Sequence, residues 1–216
     1  MKMQSQSKDP FIYLASQSPR RSQLLEQIGV AHQILVADST ETEAAEALEI
    51  ALQNEAPLAY VKRVTALKLD AAVARMQHRG LPHAPVLCAD TTVAMGRIIY
   101  GKPETEKDAV RMLTELSGQT HRVLTAVAVA YGAKGKKRLQ LVSESKVTFD
   151  NLSKAQIAAY VASGEPLGKA GSYAVQGRAA MFIRHISGSY SGIMGLPLYE
   201  TALLLEPILR QLRVAK

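Results

Sequence analysis

Ser16, Ser18, Arg20 and Arg21 fall within one short stretch of the chain, FIYLASQSPRRSQLLEQIG from Phe11 to Gly29. The apolar run Phe11 to Ala15 precedes them, and Leu24, Leu25 and Ile28 follow on one helical face, so the stretch reads as strand, turn, helix. Ser18 suits the N-cap, Pro19 the first helical position, where no N–H is needed, and Gly29 the helix end. Such a junction offers free backbone N–H groups, the positive end of a helix dipole, two hydroxyls and two guanidinium groups within about one turn. A polyphosphate or another multiply charged anion would fit it. The same residues also describe a capped helix with two solvated arginines, and the stretch alone does not choose between the two.

A second chemical residue is Asp90, inside the strand-like run Val86 to Met95 and flanked by Cys88, Ala89 and Val93. A carboxylate there is costly to bury unless it is paired, hydrogen-bonded or bound to a cation. It either serves a reaction or ties down a neighbouring loop. Lys102, between Gly101 and Pro103, stands where a returning strand, Ile98 to Tyr100, meets a helix that Thr105 can cap, a good geometry for a phosphate contact. Several other chemistries are disfavoured. No G-x-S-x-G elbow occurs, and the five histidines fall mostly in loops or near strand ends, against a Ser-His-Asp triad. Cys88 is alone and no His pair has ligand spacing, against zinc. The glycine-rich Glu165 to Gly177 lacks GxxxxGK[ST] and is no P-loop, but reads as a loop that wraps a site.

The elements that must hold these residues alternate between strand and helix, which indicates an α/β fold. Gln33 to Ala37 reads as a short strand, and Asp38 to Glu41 as a polar loop. Thr42 to Gln53, rich in Ala and Glu, reads as a loosely helical surface insertion, and Leu58 to Met76 as a firmer helix. Val86 to Met95 turns through Gly96-Arg97 into Ile98 to Tyr100. Ala109, Met112, Leu113 and Leu116 keep the helical period up to Ser117-Gly118. His121 to Tyr131 and Arg138 to Phe149 are two long strands joined by the basic Lys134-to-Arg138 hairpin. Ser153 and Gln156 have capping-box spacing. Met181 to Ile186 reads as a strand, Ser187 to Gly195 as a turn, and Leu198 to Leu212 as a helix that Pro207 should kink or divide.

At 216 residues with 47% apolar content, the chain can build one substantial core. No run reaches the ~20 apolar residues of a membrane span, so no membrane partner is expected. Residues 1–10 lack the apolar segment of a secretory signal and read as a disordered tail before a single domain over 11–213. One cysteine permits no internal disulfide, which suits a cytoplasmic protein. The balance of 26 Lys+Arg against 19 Asp+Glu gives +7, which invites a nucleic-acid hypothesis. The charges are scattered, however, and a chain with no Trp and three Phe shows no stacking platform, so no nucleic acid is expected.

L-A-S-x-S-P-R-R-x-x-L-L resembles the opening signature of the Maf family of nucleoside triphosphate pyrophosphatases. Further blocks follow in the family order: Ala89-Asp90-Thr91, Gly101-Lys102-Pro103, Leu116-Ser117-Gly118 with His121, Glu165-Pro166, Ala170-Gly171-Ser172-Tyr173 with Gln176-Gly177, and Gly188-Ser189-Tyr190 leading to Gly195-Leu196-Pro197-Leu198. The resemblance implies an α/β fold with a long, bent mixed sheet, two lobes, a cleft between them, and a homodimer. It implies Asp90 as proton acceptor and Lys102 and Lys68 as catalytic cations. Glu41 resembles the acidic residue the family carries there, and with Asp90 would bind a divalent metal, Mg²⁺ or Mn²⁺. Ser16, Arg20 and Arg21 would contact substrate, and His121 would make a structural hydrogen bond. Arg20, Thr91 and Gln176 stand where the branch acting on dTTP and UTP carries its specificity positions. Two alternatives accompany this expectation. One is the family's 7-methyl-GTP branch, which departs from Thr91 and Gln176. The other is a nucleotide-sensing division regulator or nucleic-acid-binding protein without turnover. Thr92, the long Thr42 to Gln53 segment and Ser191 to Met194 depart from the usual pattern.

Overall fold

The computed structural model describes residues 10–214. The expected tail, residues 1–10, lies almost entirely outside them. A mixed seven-stranded sheet runs in the order β2 (His32–Ile34), β1 (Ile12–Leu14), β3 (Val86–Met95), β5 (Thr120–Tyr131), β6 (Lys137–Phe149), β7 (Ile183–Ser187), and β4 (Ile98–Tyr100) also pairs with β3. β1 is parallel to β2 and β3, and the remaining pairs are antiparallel. Helices α1 (Pro19–Gln27), α2 (Thr42–Ala47), α3 (Pro57–His78), α4 (Glu106–Leu116), α5 (Lys154–Val161), α6 (Tyr190–Met194) and α7 (Leu198–Val214) complete the α/β architecture.

β3 is the central strand, and its side chains alternate between two packed faces, as the strand period of two requires. Val86 and Cys88 meet Leu69, Ala72, Val73 and Met76 of α3. Leu87 and Ala89 meet Leu24 and Leu25 of α1 and Leu204, Leu205 and Ile208 of α7. Further along, Val93 enters a third cluster built by α4, α5, Phe149, Tyr173 and Phe182. By the same alternation Asp90 is directed to the α3 face and Thr91 to the opposite one.

Local signals account for most boundaries. Thr105 Oγ1 accepts from the Asp108 N–H (3.1 Å), and Ser153 with Gln156 forms the expected capping box. Three expectations change. Of the two outcomes expected at Pro207, division does not occur: α7 runs through it as one helix, because the loss of a single i→i−4 bond is outweighed by the burial of Leu204, Leu205 and Ile208 around it. The Ser187 to Gly195 turn contains α6, whose first turn is closed by Gly192 N–H donating to Ser189 Oγ (3.0 Å). β7 begins at Ile183, because a 3₁₀ segment, Arg178–Phe182, occupies the start of the expected strand and leaves Met181 on the surface.

Candidate active site

A cleft of about 770 Å³ opens where the end of β1, the start of α1, α3, the middle of β3 and the 168–176 loop converge. Its volume lies within the ~300–1,000 Å³ range usual for small-molecule sites. Ser16, Arg20, Arg21, Lys68, Asp90, Thr91, Lys102 and Gln176 all line it. Residues far apart in sequence are thus brought to one wall or another of a single cavity.

At the strand-to-helix junction Ser18 occupies the N-cap with an extended backbone, but its side chain makes no capping bond. The neighbouring serine organises the turn instead: Ser16 Oγ accepts from the Ser18 N–H (3.2 Å) and from Arg21 Nη1 (3.1 Å). No side chain caps the start of α1, where the Arg21 N–H is taken by the Ser18 carbonyl (3.2 Å), and the positive end of the helix dipole stands at the cleft that Ser18, Pro19 and Arg20 line. Arg21 Nε also donates to the Gly195 carbonyl (2.7 Å), which ties α1 to the turn after α6. Gly195 sits at φ +118°, a left-handed conformation that favours glycine.

Asp90 is 8% exposed and is met by Lys68, whose Nζ lies 2.6 Å from Asp90 Oδ1. The same ammonium lies 2.6 Å from Glu49 Oε1, while Lys102 Nζ donates to Glu49 Oε2 (2.8 Å). Two carboxylates and two ammoniums thus form one continuous cluster. Burial by itself would lower the pKa of Lys68, but the Asp90 and Glu49 carboxylates outweigh it and raise the value above that of an ordinary lysine. Burial pushes Glu49 up, yet the charge of Lys68 and the hydrogen bonds from Lys102 and Lys68 hold it below the usual carboxylate range. The Tyr60 hydroxyl, beside this cluster, is pushed up to about 12 by burial first and by the Asp90 charge second.

Glu49 comes from the stretch expected to be a surface insertion, and it replaces Glu41 as the second acidic residue of the cluster. The Glu41 carboxylate is taken up elsewhere, by Arg75 Nε (3.0 and 3.1 Å) and Arg79 Nη2 (2.9 Å). Glu41 thus stands beside those two arginines and is not among the residues that line the cleft with Asp90. Glu49 reaches the cleft because its segment is clamped to α3: Tyr60 Oη donates to the Glu49 carbonyl (2.8 Å), and Arg63 Nη2 to the Ile50 carbonyl (3.0 Å). Nothing in an Ala- and Glu-rich run marks Glu49 off from its acidic neighbours. The available signal lay on α3, where Tyr60 and Arg63 face the segment one turn apart.

On the other side of the cleft the Gln176 amide lies against the Arg20 guanidinium, and its orientation is assigned by setting the oxygen rather than the NH₂ toward that cation, 2.7 Å from Nε, 2.8 Å from Nη1 and 3.0 Å from Nη2. Its NH₂ group is thereby left for other partners. The turn after Gln176 is held by Glu165, which accepts from Tyr160 Oη (3.0 Å) and the Arg178 N–H (3.0 Å). The Glu165 carboxylate fills the space that a Cβ at Gly177 would need, so a larger residue there would push Glu165 away from Tyr160 and Arg178. Thr91 Oγ1 lies 3.0 Å from Thr125 Oγ1. His121 is buried and its Nε2 pairs with Tyr173 Oη (2.8 Å), with burial lowering its pKa to about 4. The Cys88 thiol is fully buried and pushed up to about 11, chiefly by burial, which removes it from nucleophilic chemistry.

Among the described residues no helix is long and apolar enough to cross a membrane. The chain is 67% identical over 196 residues to a protein of Albidiferax ferrireducens, covering 91% of this chain and 96% of that one. It is 64% identical to one of a Polaromonas species, over 91% and 95% of the two chains, and 58% identical to one of Cupriavidus metallidurans, over 90% and 95%. Each of these relatives bears the name dTTP/UTP pyrophosphatase. Among solved structures, a HAM1 protein from Coxiella burnetii aligns with a TM-score of 0.48 at 14% identity over 92% of this chain and 99% of that one, a likeness too distant to bear on individual residues. Residues 11–208 match the model of the Maf-like proteins, and the chain belongs to that family.

Proposed function

We propose that this protein hydrolyses dTTP and UTP to the nucleoside monophosphate and pyrophosphate. The observation that carries the reading is the buried Asp90 carboxylate held against Lys68 in a cleft that also gathers Arg20, Arg21 and Lys102. An acceptor for a proton and a set of cations for a polyphosphate are the two requirements of this reaction. The names of the relatives, at 58–67% identity over nine-tenths of the chain, support the same substrates.

In this reading water attacks the α-phosphorus, the bond from that phosphorus to the oxygen bridging it to the β-phosphorus breaks, and pyrophosphate leaves. Asp90 takes the proton of the attacking water. Lys68 holds the Asp90 carboxylate aligned before the reaction. Arg21, Lys102 and the positive end of the α1 dipole hold the triphosphate and stabilise the charge that develops on the leaving pyrophosphate. Arg20 and Gln176 face each other and serve the base, with the Gln176 NH₂ directed to a carbonyl oxygen of uracil or thymine.

The donor set also fits a hard divalent cation, Mg²⁺ or Mn²⁺. The Asp90 and Glu49 carboxylates converge on one ammonium, at 2.6 Å each, so two oxygens already face a single positive centre. No group of three or more His, Cys, Asp or Glu side chains suited to a metal occurs among the described residues, so the remaining positions would fall to phosphate oxygens and water, the usual Mg²⁺ arrangement. Such a cation would supply charge neutralisation on the phosphates.

Incubation with dTTP, UTP, CTP, ATP, GTP and 7-methyl-GTP in Mg²⁺ or Mn²⁺, following pyrophosphate, tests the reading. Turnover of dTTP and UTP well above the others is expected. A preference for 7-methyl-GTP would overturn the substrate, and no pyrophosphate from any nucleotide would overturn the reaction.

A further inference from the structure

Thr91 and Thr125 are register partners on the antiparallel strands β3 and β5, with their hydroxyl oxygens 3.0 Å apart. A hydroxyl has one hydrogen to give and two lone pairs to offer. Thr125 gives its hydrogen to the Gly192 carbonyl at 2.7 Å, and a carbonyl can only accept. The hydrogen in the Thr91–Thr125 bond must therefore come from Thr91. Thr91 lines the cleft, whereas Thr125 is completely buried beneath it and is not part of the lining. What Thr91 still offers to the cleft is a lone pair alone.

We propose that Thr125 is a specificity-determining positioning residue that fixes Thr91 as a hydrogen-bond acceptor toward the substrate base. This rests on the reading of the cleft as a pyrimidine nucleotide site. It gives the site a sense that neither Thr91 nor Gln176 has alone, since a free hydroxyl or amide can turn to suit either partner. Gln176, with its oxygen facing Arg20, presents a donor, and Thr91, with its hydrogen committed to Thr125, presents an acceptor. The imide edge of uracil or thymine carries a donor N–H beside acceptor carbonyls and matches both. At the same two positions, C4 and N3, cytosine presents an amino donor and a ring acceptor, the reverse of uracil, so a Gln176 donor at C4 and a Thr91 acceptor at N3 both meet the wrong partner.

Gly192 is itself held in place from the sheet. Its N–H donates to Ser189 Oγ (3.0 Å), and the Ser189 N–H donates to Ser145 Oγ of β6 (2.9 Å). Thr125 therefore has a fixed acceptor, and its hydroxyl orientation is built into the fold. Replacing it by the isosteric valine would free the Thr91 hydrogen to turn into the cleft and donate to cytosine N3.

The test is equilibrium binding of α,β-methylene-UTP and α,β-methylene-CTP to the full chain. Wild type is expected to prefer the uracil analogue. Thr125→Val should reduce that preference at least about tenfold, and Thr125→Ser should keep it within about twofold. On a Thr91→Ala background Thr125→Val should have no further effect on the ratio, since Thr125 acts only through Thr91. If Thr125→Val does not fold, Thr125→Ala removes the same hydroxyl. An unchanged ratio in the variant lacking the hydroxyl, an additive effect on the Thr91→Ala background, or no uracil preference in wild type would each overturn the proposal. Pyrophosphate release by wild type is measured alongside. A preference that depends on Thr125, without release of pyrophosphate, would overturn the hydrolytic reading and leave this inference standing.

Discussion

Lys68 Nζ stands 2.6 Å from Asp90 Oδ1 and at the same distance from Glu49 Oε1, so one ammonium joins a carboxylate of the central strand to one of the segment that crosses the cleft. With Lys102 on the far oxygen of Glu49, the cluster holds equal numbers of carboxylates and ammoniums. A triphosphate brings several further negative charges, and accommodating it requires the ammoniums to turn from Glu49 toward phosphate oxygens. On the proposed function the cluster would exchange partners when a triphosphate enters.

Glu49 and Glu41 should separate cleanly on mutation. Glu49→Gln should lower kcat/KM by about tenfold or more, because the amide neither carries the charge paired with Lys68 and Lys102 nor binds a cation well. Glu41→Gln should leave kcat/KM nearly unchanged and lower stability slightly, since the largely buried Arg75 loses its charged partner. Steady-state kinetics and urea unfolding on both variants check this, and the reverse pattern would restore Glu41 to the site.

His121 should make stability pH-dependent on the acid side. Its folded-state pKa is lowered by burial from 6.5 to about 4, so between those values the unfolded chain binds the extra proton. The stability it contributes is fully present above pH 6.5 and is lost progressively as pH falls toward 4, to a total of about 3 kcal/mol. Urea unfolding at pH 7 and pH 4.5 measures the loss. In His121→Phe, whose ring remains among Phe149 and Tyr173, that share of the pH dependence should disappear.

Thr92→Val should be neutral or stabilising, by up to about 1 kcal/mol. The Thr92 hydroxyl is buried and finds no partner among the described residues, so valine removes an unsatisfied group at nearly constant shape. A Tm clearly below that of wild type would mean the hydroxyl is satisfied in solution.

The sequence was most legible where one local signal determines one local structure. The capping residues Thr105 and Ser153, the Gly96-Arg97 turn, the long β5 and β6 pair, and the strand-turn-helix at Ser16 to Pro19 all follow from propensity and period. It was least legible where tertiary contacts decide. Glu49 reaches the cleft because Tyr60 and Arg63 clamp its segment while Lys68 and Lys102 take its carboxylate, and Ser18 leaves its cap unused where the Arg21 N–H bonds the Ser18 carbonyl instead. The opposing duties of Asp90 and Thr91 follow from strand alternation, but Thr125 becomes visible only once β3 and β5 are in register. Arg20 and Gln176, both set among the specificity positions by the resemblance, meet because the 168–176 loop brings that amide to the guanidinium.

The central claim, that Asp90 accepts the proton in pyrophosphate release, is tested most directly by single-turnover hydrolysis of UTP and dTTP by Asp90→Asn. The asparagine side chain is nearly isosteric with aspartate and can keep its place beside Lys68, so the fold should survive. The account predicts a loss of about 10² to 10⁴ in rate at saturating nucleotide, with the melting profile preserved. A folded Asp90→Asn variant that releases pyrophosphate at more than half the wild-type rate would contradict it.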